Sequence, residues 1–170
     1  MVFRVHEDVF RDPRDGSEHK RAIIDAEEWC NVLPLTRDGR AILVTQYRFG
    51  SSQTSLEVPG GIVEPGETPA AAVVRELEEE TGYRAERFVP LGWVWANPAH
   101  FTNRVHFFLG LGCERVHAGR PEGGEDLAVE LRDYAELLGL VRDGAITHPF
   151  SVCTLYFESL HRDASAFNDL

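Results

Sequence analysis

The stretch Gly61–Tyr83, Gly-Ile-Val-Glu-Pro-Gly-Glu-Thr-Pro-Ala-Ala-Ala-Val-Val-Arg-Glu-Leu-Glu-Glu-Glu-Thr-Gly-Tyr, constrains this chain more than any other. It starts as a glycine-rich loop and turns into a helix. Thr68 suits the N-cap, and Pro69 the first helical position, where a missing N–H costs nothing. Gly82 offers a left-handed C-cap, so the predicted helix is about four turns long. Ala70, Val73, Val74 and Leu77 recur at i, i+3, i+4 and i+7 and are expected to form its apolar stripe. Glu76, Glu79 and Glu80 are expected together on a different face, since three- and four-residue spacings stack on a helix. A solvated acidic face is the plain alternative. Like charges this close repel, however, and a hard divalent cation relieves the repulsion; Mg²⁺ favours carboxylate oxygens.

The spacing around the acidic run is specific: Gly61, five residues, Glu67, seven residues, Arg75-Glu76-Leu77, one residue, Glu79-Glu80, one residue, Gly82-Tyr83. This is the Nudix box, matched at every defined position, and the chain resembles the Nudix hydrolase family. The resemblance runs over residues 29–170 and implies an α/β fold, a Nudix-type α/β/α sandwich with a mixed β-sheet. Strand patterns interleaved with helical ones favour the same class. Residues 1–28 stand outside it as an N-terminal β-ribbon, expected to form a homodimer as is common in the ADP-ribose pyrophosphatase branch.

The resemblance implies hydrolysis of a diphosphate linkage assisted by two to three Mg²⁺ or Mn²⁺ ions, which neutralise phosphate charge and acidify a water. Glu76 and Glu80 are the expected metal ligands, with Glu79 a shared or supporting one and the Gly60 carbonyl a further one. A late loop supplies one more acidic residue; Glu125 matches that position best and Glu122 is the alternative. Arg75, four residues before Glu79, is expected to pair with it and fix its rotamer. Glu67 is expected to tie the loop to the helix start, where negative charge is favourable. Glu79 and Glu125 both suit the general base, and the sequence does not choose between them.

Other features point toward a nucleoside diphosphate sugar, ADP-ribose first. Gln46-Tyr47-Arg48 resembles a segment of the ADP-ribose pyrophosphatase branch, and Arg48 is expected to hold Glu57 or a substrate phosphate. Glu57 matches a family position that reaches the metal or substrate region. Pro98, fifteen residues beyond the box, fits the same branch. The surrounding Asn97-Pro98-Ala99-His100 departs from the commoner Ser-Pro-Gly followed by an acidic residue. Trp29 or Phe101 is available to stack on a base, although each is a natural core residue. The alternatives are another nucleoside-diphosphate-X substrate, such as a GDP- or UDP-sugar or a dinucleotide, and a nucleotide-sensing module without catalysis. The intact Arg75, Glu76, Glu79 and Glu80 set counts against the last.

Composition sets the outer bounds. At 170 residues, 43% hydrophobic and 26% charged, the chain is globular and able to bury a core. A net charge of −11 argues against a general grip on nucleic acid. Cys30, Cys113 and Cys153 form no CxxC pair, so reduced thiols are expected. With no apolar run of membrane-spanning length, a soluble cytoplasmic protein is expected. Strands are expected over Val2–Phe10, Lys20–Asp25, Trp29–Leu35, Ala41–Tyr47, Phe88–Ala96, Arg104–Leu111 and Glu125–Leu131, and helices over Tyr134–Val141 and Phe150–His161. Gly50–Ser55 reads as a polar loop, and His148 as a connector or core histidine.

Overall fold

The computed structural model describes residues 3–119 and 127–168. Strands β1 (Phe3–Arg11) and β2 (Glu18–Ala26) form an antiparallel ribbon of their own. Gly16, at φ +76°, closes its turn. Phe3, Val5, Val9 and Phe10 of β1 stay exposed. The ribbon meets the body of the protein at Ile24, whose N–H donates to the His100 carbonyl at 2.8 Å and whose carbonyl accepts from Thr102 N–H at 3.1 Å.

Among the described residues, eight strands form the main sheet. They are β3 (Trp29–Thr36), β4 (Arg40–Arg48), β5 (Gln53–Glu57), β6 (Gly60–Ile62), β7 (Tyr83–Arg84), β8 (Arg87–Trp95), β9 (Arg104–Arg115) and β10 (Ala128–Asp133). The path β10-β4-β3-β9-β7 is mixed, because β3 and β9 run parallel while the other pairs are antiparallel. A parallel pair needs cover on both faces, and β3 is buried from Cys30 through Leu35 in keeping with that. One face, through Cys30, Val32 and Phe108, packs on α1 (Pro69–Thr81). The other, through Leu33, Leu35 and Leu109, packs on α2 (Leu137–Arg142) and α3 (Pro149–Asn168). The α/β/α layering expected from the sequence is therefore present.

Local chemistry sets the limits of α1 as expected. Thr68 is extended (φ −93°, ψ 152°) and its hydroxyl accepts from Ala71 N–H; Gly82 ends the helix at φ 72°. The apolar stripe is different. Its buried arc is Ala72, Val73, Leu77, Glu80 and Thr81, while Ala70 and Val74 face solvent. The helix is thus rotated so that Glu80 shares the inward side with the core residues. The Gly50–Ser55 loop is also revised: β5 begins at Gln53 and pairs with β4, with Arg48 opposite Gln53 and Val44 opposite Glu57. Its polar alternation had hidden a strand that turns Gln53, Ser55 and Glu57 to one face. Residues Tyr134–Glu136 form a 3-10 turn ahead of α2, and α3 extends beyond the expected His161. Trp93 and Trp95 share a face, with ring centroids 5.8 Å apart and Arg104 lying over both. No helix among the described residues is long and apolar enough to cross a membrane.

The rotated arc is open to direct measurement. Leu77→Ala removes a fully buried side chain and should cost about 2–5 kcal/mol in urea unfolding. Val74→Ala should stay within about 0.5 kcal/mol. Similar losses from both would restore the stripe expected from the sequence.

Candidate active site

The box loop reaches the helix through backbone contacts that leave no room for side chains. A Cβ on Gly60 would lie 2.2 Å from the Cys30 carbonyl oxygen, and one on Gly61 would lie 2.3 Å from Glu76 Oε1. Strand β6 crosses β3 at this point, pairing Cys30 with Gly61 and Asn31 with Gly60. The glycines are needed for this crossing and for the Glu76 carboxylate beside it. Gly60 N–H donates to Glu80 Oε2 at 2.9 Å, which ties the helix to the loop.

Arg75 is the hub. Its Nε and Nη2 donate to the two Glu67 oxygens at 3.2 and 2.9 Å, and Nη2 also donates to the Ile62 carbonyl at 2.9 Å. Nη1 donates to Glu76 at 2.8 Å and to Glu79 at 3.2 Å. The expected pairing with Glu79 is present, but Glu67 is the stronger partner. It raises the Arg75 pKa most, and Arg75 in turn holds the Glu67 carboxyl below its ordinary range. Glu67 also accepts from Glu64 N–H within the loop at 3.2 Å, so it ties the loop to the helix through Arg75 and not through the helix start.

These groups line a cavity of about 380 Å³ with Gln46, Arg48, Glu64, Gly60, Gly61 and Ile62. A second cavity of about 230 Å³ adjoins it, lined by Trp29, Asn31, His148 and Phe150 and sharing Arg48 and Gly60–Ile62 with the first. Trp29, one of the two residues expected to be available for stacking, lines this second cavity. Its ring lies 5.2 Å from that of Phe150, tilted by 53°. Glu57, expected to reach the metal or substrate region, is fully buried and is not among the residues lining either cavity. Its oxygens accept from Arg48 Nε and Nη2 at 2.8 and 2.6 Å, so Glu57 is one partner of Arg48. Pro98 and Phe101 lie on the Ala96–Asn103 connection against the ribbon and line neither of these cavities; Pro98 borders a cleft with Phe10 and Arg21, and Phe101 bridges Ile24. Glu122 and Glu125 fall outside the described residues.

The donor set suits a hard cation. Four carboxylates (Glu64, Glu76, Glu79 and Glu80) and two guanidiniums line the first cavity, and each guanidinium is already matched by a further carboxylate, Glu57 or Glu67. The excess negative charge fits divalent ions held by oxygen. The ligands are not drawn into a finished cage: among the described residues no three acidic, histidine or cysteine side chains stand together at metal-binding spacing. Glu76 and Glu79 are both in contact with Arg75.

His148 and Phe150 were missed. They flank Pro149 at the start of α3, far in sequence from Glu57, and only an aromatic beside a proline at a helix start hints at them. His148 Nδ1 lies 3.5 Å from Glu57 Oε2 without hydrogen-bond geometry. Burial pushes the His148 pKa below 6.5 despite the pull of Glu57, so Arg48 is the cation that faces Glu57 at neutral pH. Burial pushes Glu57 upward, but the Arg48 hydrogen bonds and the positive charge around it outweigh that, and its pKa is lowered from 4.5. A lowered carboxyl pKa contributes stability above the ordinary value that is lost as pH falls through the folded one. Glu57→Gln should therefore flatten the loss of stability below about pH 4.5 in acid titrations of unfolding. Arg48→Met removes the main partner of the buried carboxylate and should cost about 3 kcal/mol at pH 7. An unchanged acid profile in Glu57→Gln would remove the pair from this role.

The comparisons agree with this architecture. The model of the NUDIX domain matches residues 27–149. An ADP-ribose pyrophosphatase of Bacillus subtilis is 37% identical over 119 residues, 70% of this chain and 64% of that protein, so the match spans under two thirds of the relative's length. A methanol dehydrogenase activator of Bacillus methanolicus is 31% identical over 79% of this chain and 69% of its own. A GDP-mannose pyrophosphatase of Citrobacter koseri is 26% identical over 88% and 83%. A crystal structure of an ADP compounds hydrolase superposes with a TM-score of 0.80 at 18% identity, covering 97% of this chain and 96% of its own, a likeness of fold. With the box, its arginine hub and the sandwich around them all in place, the chain belongs to the NUDIX domain family.

Proposed function

We propose that the protein is a divalent-metal-dependent hydrolase that cleaves the diphosphate of a nucleoside diphosphate sugar, with ADP-ribose first, giving AMP and ribose 5-phosphate. The observation that carries this reading is the junction of the acidic cavity with the aromatic one through Arg48, Gly60, Gly61 and Ile62. A molecule with a diphosphate at one end and a base at the other matches both. The ADP-ribose pyrophosphatase among its relatives supports the same choice. The GDP-mannose pyrophosphatase supports a GDP-sugar as the second reading.

Glu76, Glu79, Glu80 and the Gly60 carbonyl would hold two to three ions, Mg²⁺ or Mn²⁺, which when bound supply charge neutralisation for the diphosphate and a more acidic water. The chain's own groups do the rest. Arg75 holds Glu76 and Glu79 at fixed positions, and Gly60 N–H does so for Glu80. Arg48, anchored by Glu57, offers its outer face to a phosphate oxygen between the cavities. Trp29 stacks on the base. Water oxygen attacks one phosphorus, the bridging P–O bond breaks, and the water proton passes to a carboxylate, Glu79 or the late-loop Glu125. The ribbon, with its exposed apolar residues, pairs with a second subunit in a homodimer. The surroundings are cytoplasmic, in keeping with three free cysteines, and neither nucleic acid nor membrane is a partner.

Three measurements test the reading. EDTA should abolish release of AMP from ADP-ribose, and Mg²⁺ or Mn²⁺ should restore it; full turnover in excess chelator would overturn the mechanism. Glu80→Gln should lower turnover roughly 10²-fold or more, the scale of a lost electrostatic group. Glu78→Gln should stay near wild type, because Glu78 faces outward and is bound to Arg84. Equal losses would assign the metal face wrongly. Light scattering should give twice the chain mass, and a monomer would remove the ribbon's role.

A further inference from the structure

Trp29, Phe150 and His148 form a continuous aromatic series along the second cavity. Phe150 sits between the other two, tilted against Trp29 at 5.2 Å and edge-on to His148 at 5.3 Å and 83°. The cavity of about 230 Å³ is smaller than the ~300–1,000 Å³ of pockets that enclose a whole drug-sized ligand. It suits one ring system, with the remainder of the ligand lying over Arg48 and the glutamates.

The state of the His148 ring follows from its neighbours. Nδ1 is buried, lacks a hydrogen-bond partner, and has the Glu57 carboxylate 3.5 Å away. A ring nitrogen that faces a carboxylate carries the hydrogen, and this choice of tautomer makes the other nitrogen an acceptor. Burial first, and Arg48 after it, hold the ring pKa below 6.5 against the pull of Glu57, so the imidazole is neutral near pH 7. Nε2 is then the acceptor nitrogen of a ring that lines the cavity.

We propose that His148 is a specificity-determining residue: its Nε2 accepts a hydrogen bond from an N–H on the edge of the substrate's base while Trp29 supplies the stacking surface. The assignment rests on the nucleoside diphosphate reading above and extends it to the base. An acceptor here favours bases that present an N–H, such as the adenine amine, and disfavours an edge made only of acceptors, because a site built for a donor is left unpaired by a ligand without one. Glu57 serves two groups in this arrangement, fixing Arg48 for the phosphates and the His148 tautomer for the base.

The test compares AMP with purine riboside 5′-monophosphate, which lacks only the 6-amino group, by calorimetry with Mg²⁺ present. Wild type should bind AMP about 5–10-fold more tightly, the worth of one neutral hydrogen bond. His148→Phe should bring AMP down to the level of the analogue while the analogue shifts less than about 2-fold. His148→Gln, which retains an acceptor, should keep part of the preference, and it replaces the phenylalanine variant if that variant fails to fold. Equal affinities in wild type, no measurable binding of either nucleotide, or a preference that survives His148→Phe would overturn the proposal. Preference for AMP without hydrolysis of ADP-ribose would instead overturn the diphosphatase reading and leave this role standing.

Discussion

Everything at the acidic end of this molecule depends on one guanidinium. Arg75 contacts the loop at Ile62 and Glu67 and its own helix at Glu76 and Glu79, so loop and helix are positioned by the same planar group. A lysine offers no such fork: five rigid donors allow one residue to serve four acceptors in fixed directions. Without that positive charge, the carboxylates of one helical face would repel each other and splay. With it, they are held close enough for cations to take over part of the neutralisation.

The rest of the fold brings a second polar cluster to the rim of the first. Strand β5 returns along β4 and sets Glu57 on the same face as Arg48; the connector into α3 sets His148 on the other side of that carboxylate. A fully buried carboxylate is costly unless it is matched, and here the matching group lies between the two cavities. Glu57 thus shapes the site through the arginine it holds.

Much of this was legible in the sequence, for reasons that differ from place to place. The limits of α1 were readable because Thr68 and Gly82 act locally through their own backbone preferences. That Arg75, Glu76, Glu79 and Glu80 would gather at one place was readable because the spacing of the box is dense with charge. The buried arc of the helix was not: an apolar stripe is inferred from Val74 and Ala70, yet the helix turns toward the sheet at an angle that buries Glu80, whose partner is a backbone N–H from a distant loop. The Gly50–Ser55 segment was misread because a strand whose polar side faces a site looks like a loop. The Glu57–His148 contact was hidden by sheet pairing and helix packing that join distant segments.

Cys30 gives the site a property of another kind. It lies fully buried in the floor of the cleft, paired with Gly61 across the sheet, and burial pushes its thiol pKa up to about 12. Oxidants and alkylating reagents attack the thiolate, which at neutral pH is then roughly one part in 10⁵ of the population. The Cys30 sulfur is therefore held almost wholly protonated, and the only cysteine with partial exposure, Cys153, sits on α3. The floor beneath the acidic cavity thus holds a sulfur kept in its protonated, weakly nucleophilic form.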